Sequence, residues 1–316
     1  MNEHPLETLI QQYLAEKDIT QGTYDLFKII LDQYVSYLKT HQIDYPTTRD
    51  VIAFLEWKKS EGCSIRWTNH QIGTLKNFYR YLCLNQQRLG LPEAYAYDIM
   101  QPIQREILDH NEFKPTLSTE QAKQLLLYCK ERRDTRSQYR DYAIVYLMLT
   151  TGVRSIEIRR AKRKDLKRVK RQLVLYIQGK GKTAADTYVK IPEGVEQAIN
   201  DYLSLRKDNN PFLFIGHSRH QTTPYLSRSF VIKMFKQLMK DAGLEESKVT
   251  AHGLRHTAAT MNLLRGGSLE STRQLLRHTT VTTTMIYAHH VGQMKDEQEN
   301  EIERLILDFH EIKTET

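Results

Sequence analysis

Apolar residues recur at helical spacing through the first part of the chain. Leu6, Leu9, Ile10, Tyr13 and Leu14 predict an amphipathic helix, and a longer one spans about residues 23–40, with Tyr24, Phe27, Ile30, Leu31, Tyr34, Tyr37 and Leu38 on one face. Pro46 and Thr47-Thr48 break the pattern and start a third helix through Val51, Phe54, Leu55 and Trp57. A fourth begins near Ser64 and carries Trp67, Ile72, Leu75, Phe78, Tyr79 and Leu82. Four helices joined by short breaks predict a small bundle over residues 1–100. Periodicity then lapses, and the polar segment 101–116, with Pro102 and Pro115 near its ends, reads as a linker.

Residues 117–316 read as a second domain of mixed α+β type. Ser118 and Gln121 form a capping box ahead of Ala122, Leu125, Leu126 and Cys129. The segment 138–150 is apolar nearly all round, which predicts a helix buried on several sides, ended by Gly152. Leu173 to Ile177 and Thr187 to Ile191 read as two antiparallel strands joined at Gly179-Lys180-Gly181, a small sheet with Lys180 near the tip of its hairpin. Pro192 opens a helix through Val195, Ile199, Tyr202 and Leu203. Another runs from Ser227 to about Ala242, closed by Gly243, with irregular chain before it. A tail helix is expected over 296–312, with Ile302, Leu305, Ile306 and Phe309 on one face.

Charge narrows the choice of partner. A formal charge of +8 favours a polyanion, although basic proteins are common for reasons of solubility. Residues 159–171 hold nine Lys or Arg against the single acid Asp165, among them Arg159, Arg160, Lys162, Arg163 and Lys164. Such a run is most often a solvated edge; here it is also the candidate DNA-facing edge of the sheet. Arg66 and Lys76 on the fourth helix are further candidates for DNA contact. The cysteines, Cys63, Cys83 and Cys129, are odd in number and widely spaced, which suits reduced thiols better than a disulfide framework or a zinc site. No signal peptide is apparent and no run of eighteen apolar residues occurs, so a cytoplasmic, nucleoid-associated protein without a membrane partner is expected.

The stretch from His252 to Tyr287 carries the chemistry. His252-Gly253-Leu254-Arg255-His256 precedes an apolar helical run, then come Gly266-Gly267, Leu276-Arg277-His278 and finally Tyr287. Phosphodiester cleavage needs a nucleophile, positive charge on the non-bridging oxygens and a proton for the leaving oxygen. Tyr287 can supply the first, Arg154 and Arg255 the second, and Lys180 the third, with His252 and His278 as proton carriers or phosphate donors. Taken singly each has a blander reading, since a Tyr on an apolar helix is more often a core aromatic. The i, i+4 spacing of His252 and His256 suits zinc on a helix, but the Glu of a His-Glu-x-x-His site is missing and Arg255 would oppose the metal.

Taken together, Thr151-Gly152-Val153-Arg154-Ser155-Ile156-Glu157-Ile158, Gly179-Lys180-Gly181, His252-Gly253-Leu254-Arg255-His256-Thr257 and Leu276-Arg277-His278 with Tyr287 nine positions on resemble the tyrosine recombinase (phage integrase) family. By motif the resemblance covers about 116–287; the helical N-terminal part is similar by pattern alone. It implies a mainly α protein with the tyrosine recombinase fold: a four-helix core-binding (SAM-like) domain, then the mixed α+β catalytic domain with a small antiparallel sheet. The simple two-domain type, without a separate arm-binding domain, is expected.

The resemblance further implies a site-specific recombinase working on double-stranded DNA without metal, ATP or other cofactor. Tyr287 would form a 3′-phosphotyrosyl bond, Arg154 and Arg255 would clamp the phosphate, Lys180 would protonate the 5′ oxygen, His252 would act as acid/base, His278 would hydrogen-bond the phosphate and Glu157 would support the site. Lys182 is a rival for the acid role, and Arg277 stands where the family usually has Gly, adding charge beside the phosphate. A homotetramer would act on paired sites through a Holliday junction, its tail helix exchanged between protomers, with an accessory directionality factor as a further partner. Integration or excision of a mobile element is the expected role; a chromosome-dimer-resolving Xer-like recombinase and a type IB topoisomerase-like enzyme are the alternatives. If the basic run and the bundle both grip the DNA backbone, log affinity should fall against log salt with a slope of about −0.9 per phosphate contact. A flat salt dependence in a filter-binding titration would exclude that clamp.

Overall fold

The computed structural model describes residues 4–107, 115–179, 184–218 and 223–287. The chain divides into two compact units, Met1–Glu112 and Phe113–Thr316. Among the described residues no helix is long and apolar enough to cross a membrane.

The first unit is the expected bundle: α1 (Pro5–Ala15), α2 (Gln21–Thr40), α3 (Thr48–Ser60) and α4 (Ile65–Leu84). Local chemistry sets the starts. The His4 ring accepts from the Leu6 amide, Thr47 and Asp50 form a capping box, and the Ser64 hydroxyl accepts from the Trp67 amide. The periodic faces close on one core that includes Leu6, Tyr13, Leu31, Tyr34, Leu38, Phe54, Leu75 and Phe78. Met100 and Ile103 join that core, and the Asn69 side chain exchanges two hydrogen bonds with the backbone of Glu106. Residues 101–107, expected as linker, therefore pack on the bundle. Ile103 and Asn69 are too far apart in sequence for a periodicity argument to join them. Residues 108–114 lie outside the described set.

The second unit is built around α6 (Arg136–Thr151), which packs against α5 (Thr119–Glu131), α8 (Glu193–Ser204) and α10 (Gly253–Leu264). Its near-continuous apolar sequence is the consequence: Ala143, Ile144, Val145, Leu147 and Met148 are all buried on different sides of one helix. Capping boxes at Ser118–Gln121 and Thr135–Gln138 start α5 and α6, and Gly152, at φ 60°, ends α6 in the left-handed conformation. α9 (Arg228–Asp241) begins at the Ser227 cap, and α10 leads to α11 (Leu269–Leu276) and a last helical stretch at residues 282–287.

The sheet has three antiparallel strands in the order β1 (Leu166–Val169), β2 (Gln172–Ile177) and β3 (Thr187–Lys190). Leu175 pairs with Leu166 on one side and Val189 on the other, placing its side chain in the core. Two features depart from expectation. The basic run is not one edge: Arg159 and Arg160 belong to a short helix, α7 (Ser155–Arg160), Arg163 and Lys164 to a 3-10 turn, and only the end of the run forms the edge strand β1. β1 was hidden because three of its four residues are exposed and charge masks its alternation. Lys180 and Lys182, and the tail helix expected over 296–312, lie outside the described residues.

His217 packs on the end of α8, its Nε2 3.1 Å from the Tyr202 hydroxyl. Burial, then the cations Arg140, Arg136 and Arg206, hold its pKa down to about 4. The unfolded chain takes up this proton near pH ~6.5, so the native state loses stability as pH falls from there towards the folded value. Denaturation at pH 7 and pH 5 should show a smaller loss for His217→Gln than for the unaltered protein; equal losses would remove His217 from that account.

Candidate active site

Among the described residues Arg255 is the largest fully buried side chain, 1% exposed, on a helix that is buried on nearly every side. Its guanidinium donates to the carbonyl of Gly152 at 2.5 Å and to that of Leu276. Those oxygens lie at the C-terminal ends of α6 and α11, where helix dipoles put partial negative charge. Gly152 is required here twice over. Its backbone is left-handed, and a Cβ would stand 2.8 Å from Leu276 Cδ2. Burial, followed by Arg154 and Arg277, lowers the Arg255 pKa to about 9, with Glu157 opposing; the group stays cationic at neutral pH.

Two residues after Gly152, Arg154 is the N-cap of α7. Its amide donates to Glu157 Oε2 at 2.8 Å and its Nη1 to Oε1 at 2.9 Å, while the side chain remains 29% exposed. Glu157 is buried and also accepts from Arg277 Nη2 at 3.1 Å. Arg277 is left-handed at φ 55°, and its guanidinium also donates to the carbonyls of Leu275 and Thr151. The expected DNA contact of Arg277 thus has a different geometry: the side chain is turned inward onto a carboxylate. Three arginines gather where one Glu bonds only two of them, so the cluster carries excess positive charge in a poorly solvated place, a ready receptor for an anion.

Tyr287 and His278 close the site. Tyr287 is 7% exposed and packs with Ala259, Leu263 and Leu276. Its hydroxyl lies 2.5 Å from His256 Nδ1, and its ring is nearly parallel to that of His278, 6.4 Å away between centroids. Burial raises the Tyr287 pKa, and Arg255 and Arg154 act in the opposite sense. Both guanidinium groups are therefore within electrostatic reach of the hydroxyl. His278 Nδ1 sits 2.9 Å from Thr284 Oγ1. With Thr284 donating, the ring is the tautomer whose Nε2–H remains a donor. Burial, then Arg255, Arg154 and Arg277, hold the His278 pKa at about 4, so the ring is neutral at physiological pH.

His252 caps α10 from an exposed position, its ring 4.9 Å from that of His256. Among the described residues no group of three or more His, Cys, Asp or Glu could hold a metal. Of the basic candidates, Arg159 donates to the Leu226 carbonyl, Arg160 to that of Gly179 and Arg163 to that of Asp208. Lys162 lies over the Phe212 ring and Lys164 is exposed. On α4, Arg66 is exposed and Lys76 half-buried. The sequence reading missed His256, which had been weighed only as a zinc ligand. It also missed a groove of about 470 Å³ between Ser155 and His252, where Arg159 of the basic run meets Arg228, Lys236 and Lys248 over an apolar floor that includes Val231 and Phe235. Those cations are dispersed in sequence, and only folding collects them.

Comparison with known proteins agrees over both units. Residues 115–294 match the model of the phage integrase family, and residues 6–86 match the phage integrase N-terminal SAM-like domain. Tyrosine recombinase XerA of Pyrococcus furiosus is 31% identical over 298 residues, covering 92% of this chain and 91% of that protein. Tyrosine recombinase XerD of Listeria innocua is 27% identical over 295 residues, covering 90% and 93%. Among solved structures, the XerH site-specific recombinase bound to a palindromic difH substrate superposes with a TM-score of 0.70 at 21% identity, over 89% of this chain and 80% of that one. The Tn1549 transposon integrase in complex with circular intermediate DNA gives 0.65 at 20% identity, over 94% and 98%. On these matches the chain belongs to the phage integrase family, the tyrosine recombinases, with a SAM-like domain ahead of the catalytic one.

Proposed function

We propose that this recombinase cleaves and rejoins double-stranded DNA with Tyr287 as nucleophile, forming a 3′-phosphotyrosyl bond and freeing a 5′ hydroxyl. One observation carries the assignment of the site: Arg255 is bonded to the carbonyl of Leu276, which packs with Tyr287, so that it and Arg154 lie within electrostatic reach of the tyrosine hydroxyl. Arg154, half-exposed and steered by Glu157, and Arg255, anchored by two helix ends, hold the non-bridging oxygens as charge builds on them. Neutral His278 donates a hydrogen bond to the same phosphate. His252, exposed at the head of α10, exchanges protons with it. Lys180 protonates the leaving 5′ oxygen, with Lys182 as its competitor. The phosphodiester energy is kept in the phosphotyrosine, and rejoining is the same reaction in reverse.

DNA is the partner, in keeping with the family and with the DNA-bound state of the XerH and Tn1549 relatives. Arg66, Lys76, Lys162 and Lys164 contribute backbone contacts, while Arg159, Arg160, Arg163 and Arg277 mainly brace the protein that carries them. The working assembly is a homotetramer on paired sites, with the tail helix exchanged between protomers. Movement of a mobile element is the role we favour, and the Xer relatives at 31% and 27% identity support resolution of chromosome dimers as the second reading. Plasmids carrying one site or two separate both from a topoisomerase, since relaxation without a paired site would point to the latter.

Two substitutions test the site. Tyr287→Phe should keep DNA affinity and lose all covalent complex on nicked duplexes; a covalent band from this variant would refute the nucleophile. Glu157→Gln should destabilise the fold by about 3–5 kcal/mol, because it leaves two guanidinium groups without their carboxylate. It should also slow cleavage by about 10²-fold through the loosened Arg154. Normal melting and normal cleavage together would show that Glu157 does not organise the cluster.

A further inference from the structure

Attack by Tyr287 leaves one proton unassigned, the one on its own hydroxyl. We propose that His256 takes that proton as the oxygen bonds to phosphorus, and returns it when the strand is rejoined. The proposal rests on Tyr287 being the nucleophile.

The geometry singles out one acceptor. His256 Nδ1 is 2.5 Å from Tyr287 Oη, with the rings 5.4 Å apart and inclined at 39°. A neutral imidazole that accepts at Nδ1 carries its hydrogen on Nε2, so the lone pair faces the phenol. Two other described histidines are placed differently. His278 directs Nδ1 to Thr284 and lies nearly parallel to the tyrosine ring, and His252 is exposed with its ring set edge-on to His256. Glu157, the buried carboxylate of the arginine cluster, is occupied by Arg154 and Arg277.

Placement of His256 is also unusually secure. It directly follows Arg255 on α10, and the two carbonyl bonds of Arg255 fix that turn of helix against α6 and α11. His256 is 5% exposed, so bulk water does not compete for the phenol. An ordinary phenol is a weaker acid than an imidazolium by ~3.5 pKa units, so transfer becomes favourable only as the oxygen gains its bond to phosphorus. Burial makes the Tyr287 hydroxyl a weaker acid still, which increases the need for a base. Among the described residues, the groups facing the pair are Arg255 and His252 on α10, Arg154 at the head of α7, and His278 beside the last helical stretch.

The step balances. The Oη–H bond breaks and its proton moves to His256 Nδ1; the Oη–P bond forms; the P–O5′ bond breaks, and the departing oxygen receives a proton from the acid. In rejoining, the imidazolium of His256 returns its proton to Oη while the 5′ hydroxyl attacks.

The test uses the full chain and a nicked duplex selected from a random-sequence pool by covalent capture with the unsubstituted protein. His256→Asn places an acceptor oxygen near the position of Nδ1 but is a very weak base. We expect unchanged DNA affinity and melting, single-turnover formation of the covalent complex slowed by about 10²-fold or more, and loss of the acidic limb of the pH–rate profile. A second duplex with sulfur in place of the bridging 5′ oxygen needs no proton at the leaving atom. Lys180→Ala should recover on that substrate, and His256→Asn should stay slow. Recovery of His256→Asn on sulfur, or an unchanged rate and profile, would overturn the proposal, and His256→Gln gives the same readings should Asn fail to fold. Tyr287→Phe is the independent arm: covalent complex from that variant would fail the nucleophile assignment itself, whatever the His256 series shows.

Discussion

The site depends on one buried cation. Arg255 joins the end of α6 to the end of α11 through the carbonyls of Gly152 and Leu276, and its own helix lies between them. Desolvating a guanidinium is expensive, and among the described residues no carboxylate bonds this one. It is tolerated because two helix C-termini, each with partial negative charge, supply its partners. The arrangement works in both directions. The cation ties three helices together, and the helices hold the cation where an anion beside Tyr287 would meet it. Removing Arg255 would leave two helix ends facing each other with unpaired oxygens, so its structural and chemical duties cannot be separated by simple deletion.

Around that bond the charges are arranged to be incompletely neutralised. Glu157 serves both Arg154 and Arg277, and Arg255 has only carbonyl partners. A better-balanced cluster would be easier to fold and poorer at holding phosphate. Arg277 shows how such a cluster is accommodated. It adopts a left-handed backbone that favours glycine, and its guanidinium donates to Glu157 and to two carbonyls from that position. An exposed arginine at the same place would add charge to the phosphate; the inward one instead limits how far the Glu157 carboxylate can follow Arg154.

The basic run between Arg159 and Arg171 illustrates why charge density is a weak guide to a binding face. Several of its guanidinium groups bond to backbone carbonyls of their own unit and to the acids Asp208 and Glu196. Arg159, at the head of that run, lines a groove with Arg228 and Lys236 of α9 and Lys248 of the loop before α10. Counting lysines and arginines along the chain does not show which of them share a face, since side chains on one element point in several directions.

Much of this protein was written into local pattern. Helical periodicity, capping boxes at Ser118 and Thr135, and the glycine after α6 are decided by residues within a turn or two of one another, which is why the bundle, α6 and the strands β2 and β3 are legible in the sequence. The motif spacing likewise named Arg154, Arg255, His278 and Tyr287. Tertiary structure alone decided what those groups do to each other. Arg255 meets Gly152 across 103 positions, Arg277 meets Glu157 across 120, and His256 meets Tyr287 across 31. No propensity or period reports such contacts, because they are fixed by how helices pack and not by the order of residues along them. The buried histidine beside the tyrosine hydroxyl was therefore invisible in the sequence, although every letter of it was there.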